Sequence, residues 1–173
     1  MKTKIFVTVG STYSLNRLIK EIDLFDSNKF EIFAQIGETT IHPKNIKFKK
    51  FLDYEKMIKK INWADTIITH AGVGTIIDCL AQNKKIILFP RLKTFNEAVD
   101  DHQIEICKAF EKKYGIIWTK DEKLLQTMLN SKKTLINPIK KLKQPVVIEN
   151  QTGSNNLKDY QNEIKFVRKW LKK

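Results

Sequence analysis

The chain has 173 residues, 42% of them hydrophobic and 29% charged, which suits one globular domain large enough to bury a core. No apolar run approaches the ~20 residues of a membrane span, and Ile5 to Val9 is shorter than a signal-peptide core of ~7–15 residues, so a cytosolic chain is expected. The net charge of +13 fits nucleic acid, an anionic membrane surface or a phosphorylated substrate, but only three of 32 basic residues are arginines (Arg17, Arg91, Arg168). Nucleic-acid readout favours arginines interleaved with stacking aromatics, and without such a cluster no nucleic-acid partner is expected.

In chain order, Lys4 to Val9 is a β-branched, apolar run ending at Gly10-Ser11-Thr12, which predicts a buried strand entering a turn. A helix follows over about Ser14 to Phe25, with Leu15, Leu18, Ile19, Ile22 and Phe25 at helical spacing. Glu31 to Ile36 predicts a second strand stopped by Gly37, and Ile46 to Phe48 a short third one. A helix is expected over about Tyr54 to Ile61, a strand at Thr66 to Thr69, a helix at Thr75 to Gln82 and a strand at Lys85 to Phe89. Glu97 to Lys113 predicts a long helix ended by Gly115, followed by a sixth strand at Ile116 to Trp118 and a helix at Asp121 to Leu129. Cys79 and Cys107 fall within helices and read as buried, reduced side chains, so neither a disulfide nor a metal site is expected.

Alternating strands and helices, with each strand a near-continuous apolar run, indicate an α/β fold: a Rossmann-like parallel six-stranded sheet covered on both faces. The expected strand order is 3-2-1-4-5-6, with the ligand crevice outside the carboxyl ends of strands 1 and 4. That crevice would receive two small-residue turns, Gly10-Ser11-Thr12 and His70-Ala71-Gly72-Val73-Gly74. The domain is expected over residues 1–136. Residues 137–173 form an extension with Pro138, Pro145 and a final amphipathic helix from about Leu157 to Lys172, packing on the domain or on a partner.

Glycines let the backbone approach an anion, and a helix N-terminus offers unpaired N–H groups and a positive dipole end. The dinucleotide fingerprint is missing, since Val9-Gly10-Ser11-Thr12-Tyr13-Ser14 holds one glycine. No P-loop, Gly-x-Ser-x-Gly or His-x-x-x-His pattern occurs either, which leaves a crevice suited to a nucleotide diphosphate.

His70-Ala71-Gly72-Val73-Gly74-Thr75, Pro90-Arg91, Glu97 and Asp101-His102-Gln103, in that order, resemble the C-terminal, donor-binding half of MurG-type glycosyltransferases of the two-lobed GT-B fold. The resemblance is nearest to short chains carrying that half alone. These are the soluble subunit of two-part UDP-GlcNAc transferases and the PssE-like subunits of capsule and exopolysaccharide synthesis. Phe6-Val7-Thr8-Val9-Gly10-Ser11 resembles the first-strand signature of the same group, and the likeness runs from about Lys4 to Leu129.

The resemblance implies a role for each matching position. The turn His70, Gly72, Val73, Gly74 and Thr75 would hold the donor diphosphate. Asp78 would bond the ribose hydroxyls, at a position where relatives usually carry Glu. His102 and Gln103 would face the sugar or diphosphate, Arg91 a phosphate or a neighbouring acid, and Gly10, Ser11 and Thr12 the acceptor side. Glu97 and Asp101 also suit a helix's first turn without any function. The implied reaction transfers a sugar from a UDP-sugar to a lipid-linked saccharide with inversion, with no metal or cofactor. The base is unassigned, with His70 and His102 as candidates. The chain would need a membrane-anchored, acceptor-binding partner that holds it at the membrane periphery. The alternatives are a non-catalytic nucleotide-sugar-binding regulatory subunit, a sugar-nucleotide epimerase and a basic nucleic-acid-binding domain.

Overall fold

The structure is a computed structural model and describes residues 1–130. The expected domain limit at residue 136 and the C-terminal helix lie outside the described residues. Six parallel strands form one sheet: β1 (Thr3–Thr8), β2 (Phe30–Gln35), β3 (Lys47–Lys49), β4 (Thr66–Thr69), β5 (Lys85–Leu88) and β6 (Ile117–Trp118). Their order is β3-β2-β1-β4-β5-β6, the order expected of the sequence. Five helices connect or follow them: α1 (Asn16–Ile22), α2 (Tyr54–Trp63), α3 (Val73–Ala81), α4 (His102–Tyr114) and α5 (Glu122–Asn130).

Side chains alternate across the sheet, so its central strands supply two cores. Ile5, Val7, Ile32, Ala34, Ile68 and Ile87 face Leu18, Ile19 and Ile22 of α1 and Leu125 and Met128 of α5. Phe6, Ile67, Ile86 and Leu88 face the opposite way, onto Ile61 of α2, Ile76 and Leu80 of α3, and Ile106 and Phe110 of α4. Cys79 and Cys107 lie in this second core as free thiols, and burial pushes both above the ordinary thiol range. Both behave as small apolar side chains.

Local signals set two of the helix ends. Asp53 caps α2 by accepting from Lys56 N at 2.8 Å, and Gly115 ends α4 in the left-handed region at φ 69°. Two helices differ from expectation: α1 is shorter, Asn16–Ile22 rather than about Ser14 to Phe25, and α4 starts at His102 rather than Glu97. The acids before α4 are drawn into other bonds. Glu97 Oε2 accepts from Leu92 N at 3.1 Å, Asp101 Oδ1 from Lys93 N at 2.9 Å and Asp100 Oδ1 from His102 N at 3.0 Å. These bonds hold the β5–α4 connection as a folded loop with a 3-10 turn at Lys93–Phe95.

Candidate functional site

The carboxyl ends of β1 and β4 lie side by side, with Thr8 opposite Thr69, so the two small-residue turns meet where the strand order reverses. His70 is the contact between them. The residue is 8% exposed, with ring Nδ1 3.3 Å from Thr69 Oγ1. A Cβ added to Gly10 would stand 2.7 Å from the imidazole, and one added to Gly72 would stand 2.3 Å from Nε2. Gly10 also needs its positive φ of 76°, and Gly37 (φ 52°) packs so closely behind it that an added Cβ would meet the Gly10 carbonyl oxygen at 2.4 Å. The imidazole therefore lies against two glycine backbones where no larger residue fits. Gly72→Ala is expected to cost about 1–3 kcal/mol of stability, as overpacking does. Urea unfolding of the variant measures this, and an unchanged midpoint would refute the packing argument.

Burial drives the His70 pKa down to about 3, the charge of Arg91 adds to the effect, and a hydrogen bond with the Thr8 carbonyl opposes it. His70 is thus neutral at physiological pH and can offer one ring N–H or one lone pair, but no charge. Besides the charge of Arg91, α3 brings a positive dipole end to the crevice. That helix begins at Gly72 with no side-chain cap, and its first intrahelical bond runs from Ile76 N to the Gly72 carbonyl at 3.1 Å. The N–H groups of Val73, Gly74 and Thr75 precede that bond, in the first turn of the helix that follows the β4 turn, and a helix end of this kind suits an anion.

Several motif residues prove to be braces. Gln103 Oε1 accepts from Ala71 N at 3.2 Å and Arg91 N at 2.9 Å, tying the β4 turn to the end of β5. Arg91, 4% exposed, donates through Nη2 to the Val9 carbonyl and, at 2.6 Å, to the Tyr13 carbonyl. It anchors the ends of the Gly10–Tyr13 turn, so its guanidinium is directed at backbone rather than outward. Glu97, 3% exposed, receives both Nε and Nη2 of Arg17 at 2.9 Å.

Arg17 belongs to no motif of the sequence, yet it lies at the centre of this network. Beyond Glu97 it donates to Glu122 Oε1 (2.8 Å), the Lys120 carbonyl (3.0 Å) and the Pro90 carbonyl (3.3 Å). Its guanidinium also lies 4.6 Å from the ring centres of both Phe89 and Phe95. The only hint in the sequence is that Arg is rare in this lysine-rich chain and that a bidentate, stacked site favours Arg over Lys.

The remaining candidates are less buried. Ser11 and Thr12 are exposed beside Gly10, and His102 is exposed at the start of α4, one residue before the inward-turned Gln103. Asp78 is half-buried on α3, where burial raises its carboxyl above the usual range while a hydrogen bond from Tyr54 Oη at 3.3 Å to Oδ1 opposes the rise. Among the described residues no group of three or more His, Cys, Asp or Glu could hold a metal ion, and no helix is long and apolar enough to cross a membrane.

This parallel sheet, crossed by an uncapped glycine-flanked helix at its switch point, is the Rossmann-like half of a GT-B glycosyltransferase fold. The chain belongs to the glycosyltransferase family 28 C-terminal domain family, whose model matches residues 4–165. It is 33% identical over 120 residues to the human UDP-N-acetylglucosamine transferase subunit ALG13, a match covering 62% of this chain and 10% of that protein. The chain thus spans a small part of that curated relative. Among solved structures, an NMR structure of ALG13 matches with a TM-score of 0.57 at 18% identity, covering 96% of this chain and 98% of that one. Acinetobacter baumannii MurG matches with a TM-score of 0.53 at 20% identity, covering 75% of this chain and 41% of that one. At these identities the two structures support the fold.

Proposed function

We propose that this chain is the catalytic, donor-binding subunit of a two-component inverting glycosyltransferase that moves a sugar from a UDP-sugar to a lipid-linked saccharide in glycan or exopolysaccharide assembly. The observation that carries the reading is the uncapped N-terminus of α3, bounded by Gly72, His70 and Gly10, with Asp78 further along the same helix. Inverting transfer makes a nucleoside diphosphate the leaving group, and its growing charge must be met in the transition state. The N–H groups of Val73, Gly74 and Thr75 and the dipole of α3 meet it without a metal. Neutral His70 adds one hydrogen bond and no charge. Arg91 and Gln103 act indirectly, by holding the turns that shape the crevice.

The described residues leave the acceptor's base unassigned. Family membership and the likeness to a protein named as a transferase subunit support a second chain that supplies the acceptor side. That chain would be membrane-anchored and would hold this one at the membrane surface. Calorimetric titration of the full chain with UDP and UDP-sugars tests the donor site. Saturable binding that His70→Ala weakens at least tenfold is expected, and no binding at millimolar UDP overturns the reading. A fully active lone chain overturns the need for a partner.

The engaged carboxylates favour one second reading, a non-catalytic nucleotide-sugar-binding subunit: Glu97 is held by Arg17 and Asp78 is bonded to Tyr54. Intact UDP binding with no transfer, even beside the partner, would select it.

A further inference from the structure

The face of the sheet that carries α2 is not covered to its edge. β3 is the terminal strand, with Lys47 beside Phe33 and Lys49 beside Gln35 in register. Phe33 packs on the second core, so both lysines share the α2 face with it, and both are exposed. Where α2 packs over β1, Lys60 Nζ lies 3.8 Å from the ring centre of Phe33 and 4.7 Å from that of Trp63. Lys4 Nζ lies 5.9 Å from the Trp63 ring. Lys4, Lys47, Lys49 and Lys60 thus stand around two rings, and none of them forms an ion pair among the described residues.

The acids beside them are Glu31, opposite Lys4 in the β1–β2 register, and Asp65, which accepts from Lys4 N at 2.9 Å. Asp53 and Glu55 lie at the far, N-terminal end of α2, where Asp53 is paired with Lys56. The face therefore carries a positive excess. An ammonium held over a ring keeps its charge at the surface, while its methylene stem and the ring add an apolar belt beneath. A bilayer headgroup region takes that combination, with Trp at the level of the headgroups and ammonium groups on the phosphates. Phe51, 44% exposed and two residues beyond Lys49, adds an apolar side chain at the end of the same edge. Nucleic acid fits less well, because these cations include no arginine and both rings already have an ammonium over them.

We propose that this face, from the β3 edge across α2 to Trp63, is a docking surface for the anionic leaflet of a bilayer, so that the chain touches lipid directly as well as through a partner. Neither Lys47 nor Lys49 belongs to the donor site described above. Lysines on an edge strand also block edge-to-edge pairing, a role that needs no lipid. Vesicle binding separates the two roles.

The test is co-sedimentation of the full chain with vesicles of phosphatidylcholine alone and of phosphatidylcholine with an equal share of phosphatidylglycerol. Wild type is expected to bind the mixed vesicles alone and to leave them as salt is raised. Each lysine at an anionic surface contributes a factor of about five, so Lys47→Gln/Lys49→Gln should bind about 25-fold more weakly. That variant should unfold at the wild-type temperature and bind UDP as wild type does. A control, Lys112→Gln/Lys123→Gln, removes the same charge from exposed sites on α4 and α5 and should bind within about twofold of wild type. Equal losses in the two double variants would mean that net charge, and not this face, binds lipid, and would overturn the inference. So would no binding by wild type, equal binding to both kinds of vesicle, or tighter binding to a single-stranded RNA that Lys47→Gln/Lys49→Gln abolishes. Vesicle binding as expected with no UDP binding by any of the proteins would remove the donor-site reading and leave this one standing.

Discussion

Replacing Arg17 by Met is expected to lower stability by about 3–5 kcal/mol, the usual cost of removing one partner from a buried ion pair. The reason is what stays behind. Glu97 would keep its charge at 3% exposure with Leu92 N as its remaining partner, and the Pro90 and Lys120 carbonyls would lose a donor. All five guanidinium N–H groups are in use, and the plane lies between two phenyl rings, so Arg17→Lys should recover little of the loss. For a chain of this size the thermal midpoint should fall by about 10 °C. The double variant Arg17→Met/Glu97→Leu should unfold at a higher temperature than Arg17→Met, because the stranded charge is gone. A single-variant loss under about 1 kcal/mol would show that the network is dispensable.

Acid should destabilise the wild-type chain through His70 well before most carboxylates titrate. The unfolded chain binds a proton at His70 near pH 6.5, but the folded chain only near pH 3. Between those values the unfolded state holds the extra proton, so stability is complete above about pH 6.5 and drains away as pH falls toward 3. The slope is about 1.4 kcal/mol per pH unit, which accumulates to roughly 4–5 kcal/mol across the window. His70→Gln removes that titration and should flatten the profile relative to wild type, whatever its stability at pH 7. Parallel slopes for the two proteins between pH 6 and 4, read by urea unfolding, would mean that His70 is not held neutral.

Much of the fold was legible because the responsible signals are local. β-branched apolar runs at Lys4 to Val9, Thr66 to Thr69 and Lys85 to Phe89 can be satisfied only inside a sheet covered on both faces. Handedness and short connections then leave few strand orders, and the observed order is the expected one. The α4 boundary was not legible. Glu97, Asp100 and Asp101 suit a helix start by composition, but Glu97 and Asp101 are claimed by N–H groups whose position depends on how the loop folds back, and Asp100 accepts from His102 N in a local turn.

For the candidate site, the chain alone determined where a crevice must lie and which small residues border it. Gly10, Gly72 and the start of α3 follow from strand ends and turn chemistry, both properties of neighbours in sequence. The jobs of the polar side chains were decided by tertiary structure. Arg91 reaches back 82 residues to Val9, Arg17 reaches forward 80 to Glu97, and Tyr54 meets Asp78 across two helices. His70 is neutral because burial and a neighbouring guanidinium act on it together. A residue's identity says which bonds it can make. Which of them it does make depends on the groups that folding brings within about 3 Å, and on how much water folding leaves between them.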